Sequence, residues 1–328
     1  MNRKIIIRTV LVILNVILIL LSLASGGAFF SLSPFFRMIL GQQISLADRT
    51  ILLSVRLPRV IGSILAGIGL STSGVLLKIL VNNDLAGPNI IGINSGAGLG
   101  VIISLIFFQA TDILLAPFAF LGSLVAVVFV LSLSMRIAEG KHGIILVGIA
   151  FSTFTQALIS VLYTLNSDIL SDYLAFSVGN ISGVQLKQLI IPGLLILFCF
   201  TASVLISRDL DKYTLGDMLA SSLGLNVKRF RILIAVLACI SSGSVVSYAG
   251  LIGFVGLVVP LIAAKLTGSG SGNSIVTSAL LSSLFVMLSD LLSRVLFLPG
   301  ELPTGMIIAL IASPVFFVFL LQRRNSNA

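Results

Sequence analysis

Ten predominantly apolar runs follow one another along the chain. They lie near residues 5–24, 58–80, 89–108, 114–135, 143–164, 188–206, 230–249, 252–265, 273–296 and 303–321. A helix needs about 20 apolar residues to cross a hydrocarbon core of about 30 Å. Nine runs approach that length, and the one at 252–265 is short. Only 9% of residues are charged and 57% are hydrophobic, against about 25% charged in a soluble domain. So few charges cannot cover a globular surface, so lipid is the expected solvent. The expected fold class is all-α: one polytopic membrane domain, residues 1–328, with about ten transmembrane helices. Arg3, Lys4 and Arg8 precede the first run as in a signal peptide. That run is long for a signal sequence, however, and nine more follow it.

The distribution of charge excludes some functions and orients the chain. A net charge of +9 does not point to nucleic acid, because the basic residues are dispersed between apolar runs and form no face. With the N-terminus inside, 14 of the 20 Lys and Arg fall in internal segments. That is the expected bias, and an even number of spans then places both termini in the cytoplasm. Cys199 and Cys239 both sit in apolar runs and read as small buried hydrophobes. His142 is the only histidine, so a multi-histidine metal site is excluded.

Four segments carry more than hydropathy. Arg56-Leu-Pro-Arg59 opens the second run, with Pro58 in a helical first turn where its missing N–H costs nothing. The two guanidiniums there, with Arg294, sit at external helix ends. Each suits lipid phosphates singly, and together they suit an anionic docking partner. In residues 82–100, Gly92, Gly96 and Gly100 recur every four residues, the spacing of a helix-packing face. Asn94 and Ser95 beside them suit a water-filled passage. The internal segment 207–231 holds a predicted amphipathic helix over 214–223, with Leu215, Met218, Leu219 and Ser222 on one side and Gly224 ending it. It reads as a contact for a soluble partner. Residues 247–260, SYAGLIGFVGLVVP, are punctuated by Gly250, Gly253, Gly256 and Pro260. Interior glycines each cost a water-exposed helix about 1 kcal/mol, but in a membrane they let helices pack closely. A short or broken helix near 252–265 is expected. Asp290 and Arg294, at i and i+4, are expected to pair. A secondary transporter, driven by an ion gradient, would need essential intramembrane ionisable groups, and Asp290 is the one candidate. The chain has no G-x-x-x-x-G-K-[ST] loop, so it is not expected to hydrolyse ATP.

Taken in order, these segments resemble the permease family of iron-siderophore, haem and cobalamin ABC importers. The resemblance runs from about residue 50 to 321. It is carried by R-L-P-R at 56–59, L-A-G-P at 85–88 with Gly92 and Gly96, L-G-D…A…L-G at 215–224, G-F-V-G-L-V-V-P at 253–260 and E-L-P-T-G at 301–305. It implies ten spans per subunit, a second permease subunit, identical or related, and two cytoplasmic ATPase subunits, which bind the ATP and Mg. The chain itself would carry no cofactor. An extracytoplasmic binding protein would bring an iron chelate, with haem or cobalamin as alternatives, to the outer mouth of a permease in a bacterial cell membrane. By the same resemblance, Arg56, Arg59 and Arg294 receive acidic residues of the binding protein. Leu215, Gly216, Asp217, Ala220 and Gly224 couple to the ATPase. Lys141 and His142, in the loop 139–143, stand at a cytoplasmic gate. Gly253, Gly256 and Pro260 pack helices. The chain departs from the family pattern at Asp84 and Leu251, where proline is usual, at Leu261, where histidine is usual, and at Phe176, near a position often held by tryptophan.

Overall fold

The computed structural model describes residues 3–26, 45–108, 112–137, 141–268, 270–296 and 300–326, with a few isolated residues between 29 and 42. Ten apolar helices run through it in the predicted order: α1 (Arg3–Ala24), α3 (Leu57–Val81), α4 (Ile93–Phe108), α5 (Asp112–Ile137), α6 (Lys141–Leu165), α8 (Leu186–Leu205), α11 (Val227–Ala249), α12 (Val255–Thr267), α13 (Ser271–Val295) and α14 (Thr304–Ser326). Among the described residues seven spans are long and apolar enough to cross a membrane, and α4, α12 and the apolar part of α14 are shorter. Four short helices lie between them: α2 (Leu46–Ile51), α7 (Leu170–Val178), α9 (Ser207–Thr214) and α10 (Asp217–Ser222). Leu52–Arg56, a π-helical turn, joins α2 to α3. A two-residue antiparallel ladder pairs Ser25–Gly26 with Phe29–Phe30.

α3 is the central pillar, and its glycines explain how. A Cβ at Gly67 would overlap the Ser283 backbone of α13. One at Gly69 would lie 2.6 Å from Val245 Cγ2 of α11, and one at Gly74 would overlap the Gly256 carbonyl of α12. Bare backbone at these three positions lets three helices close on α3 at once. Pro260 contributes to the Gly74 contact. Lacking an N–H, it leaves the carbonyl four residues earlier, Gly256 O, outside the helical ladder. That oxygen is the atom pressed against Gly74. One turn further along α3, Lys78 Nζ donates to the Leu257 carbonyl at 2.9 Å.

α12 has 13 residues, so it rises about 20 Å, short of a full crossing. Its ends are set by backbone conformation: Gly250 (φ 69°) and Phe254 (φ 64°) break the chain before it, and Gly268 (φ 71°) ends it.

Three expectations are corrected here. Gly92 does not share a helical face with Gly96 and Gly100. It lies before α4 at φ 84°, against the Phe151 ring, whereas Gly96 and Gly100 meet Gly122 and Phe118 of α5. The reason is local: the turn entering α4 needs a left-handed residue, which glycine adopts without a Cβ clash. Residues 214–223 are not one helix, because Gly216 at φ 100° separates α9 from α10. Gly253 packs against no helix among the described residues, none of whose atoms a Cβ there would meet within 4 Å.

Candidate functional site

At the end of the bundle where α1 ends and α3 begins, three helices converge on one carboxylate. Asp290, 1% exposed on α13, accepts from Arg59 Nε of α3 at 2.7 Å and from Arg294 Nη2 at 2.9 Å. Thr304 Oγ1 of α14 donates to it at 3.2 Å. Arg59 also reaches Glu301 at 2.7 Å, and Arg294 Nη2 donates to Ser22 Oγ of α1 at 2.6 Å. Asp290 and Arg294 pair as expected, and Arg59, 231 residues from Asp290, joins them. The expectation of three displayed cations does not describe this geometry. Arg59 and Arg294 are 4% and 6% exposed and are held by internal carboxylates. Arg56 is half-buried and donates to the Leu23 and Ala24 carbonyls. An unpaired guanidinium buried here would be costly, which is why the chain supplies its own acids.

Beside this cluster lies a cavity of about 810 Å³. Its polar wall comes chiefly from α6, where Ser152, Gln156 and Ser160 recur every four residues, with Thr153 adjacent. Asn94 and Ser95 line it as well. Ser95 Oγ bonds Ser152 Oγ at 3.1 Å, and Asn94 Nδ2 donates to Asn89 Oδ1. The opposite wall is built by backbone. Asn180 N donates to Ala249 O at 2.8 Å, Leu251 N to Phe176 O at 3.1 Å, and Gly305 N to Gly179 O at 2.9 Å. These bonds tie the end of α7, the break after α11 and the start of α14 together. Gly179, Gly250 and Gly305 permit the approach: a Cβ at Gly305 or Gly250 would overlap the carbonyl of Val178 or Phe176. Gly253 and Phe254 complete the lining. Lys141 and His142 lie in the first turn of α6; their side chains, and residues 138–140, lie outside the described residues.

At the other end, α9 and α10 project from the bundle on buried anchors. Tyr213, fully buried, donates its hydroxyl to Leu80 O at 3.1 Å. Burial pushes its phenol pKa up, an effect Arg231 partly offsets, so it stays a donor. Asp211 accepts from Ser271 N at 2.7 Å, and Arg231 pairs with Asp217 at 2.7 Å. Ala220 is buried, while Leu215, Met218, Leu219 and Leu223 are exposed, Met218 at 82%. Gly216 and Gly224 have positive φ and, among the described residues, nothing within 4 Å of a Cβ.

Sequence reasoning missed most of the cavity wall. The i, i+4, i+8 row of Ser152, Gln156 and Ser160 inside an apolar run was the available signal. Tyr173 and Ser177 on α7 had none, because they lie in a segment that reads as a loop.

The model of the FecCD transport family matches residues 13–323. The chain belongs to the FecCD transport family. Among its FecCD relatives is the Fe(3+)-citrate import system permease protein YfmE of Bacillus subtilis (strain 168). It is 33% identical over 95% of this chain and 94% of that protein. Another is the hemin transport system permease protein HmuU of Yersinia pestis, 31% identical over all of both chains. The solved structure of an ABC transporter described as of metal-chelate type, in an inward-facing conformation, superposes with a TM-score of 0.86. It is 26% identical and covers 96% of this chain and 99% of its own. The chain is thus a multi-pass permease subunit of the ABC-importer type.

Proposed function

We propose that this chain is the permease subunit of an ATP-driven importer that carries an iron(III)-siderophore or a similar iron chelate across a bacterial cell membrane. Haem and cobalamin are the alternative cargoes. The observation that carries the reading is the α6 polar row. Thr153 and Gln156 are exposed on this chain, in the middle of an apolar span, beside an 810 Å³ cavity. Polar side chains at that depth are unfavourable in lipid and mark a water-filled path or a protein contact. A second permease subunit, identical or related, closing over α6 would turn the open cavity into a passage.

The exposed leucines and methionine of residues 215–223 supply a place for the ATPases. Large apolar side chains exposed outside the membrane spans mark an interaction surface. Two ATPase subunits docking there would place both chain termini in the cytoplasm, in keeping with the distribution of Lys and Arg. The Arg59–Asp290–Glu301 cluster would then face outward, where an extracytoplasmic binding protein arrives. Arg59 is not free to receive such a partner unless Glu301 releases it. Asp290, paired to two arginines, does not suit the exchangeable proton site that an ion-gradient carrier needs.

The test is uptake. Cells lacking other iron importers, supplied with this chain, its ATPase and its binding protein, should accumulate chelated ⁵⁵Fe. Replacing Met218 with Glu should abolish accumulation and ATPase co-purification without lowering the amount of chain in the membrane. Full uptake with Met218→Glu would remove the 215–223 surface from the mechanism.

A further inference from the structure

The chemistry of the cavity wall narrows the cargo. Of its 17 lining residues, nine are Asn, Ser, Thr, Gln or Tyr and the rest are apolar; none is Asp, Glu, Lys, Arg or His. A charged solute crossing a low-dielectric interior needs opposite charge along its path, and selective pores supply it as rings of ionised side chains. This wall offers amides and hydroxyls instead. In the neighbouring cluster Arg59 and Arg294 are matched by Asp290 and Glu301. Residues 165–187, which include the cavity-lining Tyr173 and Ser177, carry Asp168 and Asp172 against one cation, Lys187. Both aspartates are exposed.

We infer, resting on the importer reading above, that the cargo is an iron(III) chelate without net negative charge. Its shell would be of hydroxamate type, presenting amide carbonyls, N–H and hydroxyl groups. Anionic citrate or catecholate complexes would be disfavoured. The amides and hydroxyls of the wall would exchange hydrogen bonds with that shell.

The experiment is direct retention by the permease–ATPase complex in nanodiscs, with the binding protein left out so that its own selectivity does not enter. The probes are ⁵⁵Fe-ferrichrome, a neutral trihydroxamate, and ⁵⁵Fe-enterobactin, a trianionic tris-catecholate. The wild-type complex should retain ferrichrome at least tenfold better. Gln156→Lys, which puts a cation on the wall, should narrow or reverse that ratio. Gln156→Leu, which removes the amide without adding charge, should keep the order. Equal or better retention of the tris-catecholate by the wild-type complex overturns the inference and leaves the iron-chelate reading standing. Retention of neither chelate, with haem or cobalamin held instead, overturns both.

Discussion

Asp290 accepts hydrogen bonds from two arginines and a threonine, and those three donors stand on three different helices. Replacing it with Asn keeps the shape and removes the charge, which leaves two buried arginines with one carboxylate in the cluster, Glu301, bonded to Arg59. Removing one partner of a buried ion pair typically costs about 3–5 kcal/mol, so Asp290→Asn should lower the thermal unfolding temperature in detergent sharply. Glu301 is 41% exposed at its side chain, and Glu301→Gln should cost about 1 kcal/mol or less. Comparable losses in the two variants would contradict the assignment of Asp290 as the organising group. Of this cluster, the Asp290–Arg294 pair was legible in the sequence because helical spacing fixes it. Arg59 was read as an exposed cation because nothing local records that a carboxylate 231 residues away comes to meet it.

Among the elements, glycines decide contacts in two distinct ways, and each predicts a different phenotype. Gly74 is bare so that the Gly256 carbonyl can touch it. Gly74→Val should force α3 and α12 apart, costing about 1–3 kcal/mol or more, and should show as loss of monodisperse protein on size exclusion. A Cβ at Gly224, by contrast, would meet nothing within 4 Å among the described residues, but the residue sits at φ 83°. Gly224→Val should strain only the backbone, by about 1–2 kcal/mol. The protein should purify in near-normal yield and lose ATPase co-purification. Normal ATPase association with Gly224→Val would remove the turn after α10 from coupling. The ten apolar helices were legible to within a few residues at most ends, because hydropathy and turn residues act locally, whereas the short helix α7 read as a loop. Gly96 and Gly100 were legible by their spacing. Gly92 was not, because the same four-residue spacing continues one turn past the start of α4. The Gly179, Gly250 and Gly305 contacts come from three separate elements, and no spacing announces them.

For the molecule as a whole, the claim is that the polar face of α6 borders water in a passage and is not buried in lipid or in a dry contact. The chain offers a clean background for testing this, since Cys199 and Cys239 are both buried. Single cysteines would be placed at Gln156, in the cavity wall, and at Leu194, 65% exposed on the apolar face of α8. Each variant, assembled with its ATPase in membranes, would be exposed to a charged, lipid-insoluble methanethiosulfonate reagent. The account predicts that Gln156→Cys is modified, at a rate that changes when ATP is bound, and that Leu194→Cys stays unmodified. An unreactive Gln156→Cys in every nucleotide state, or equal reactivity at the two positions, would contradict it.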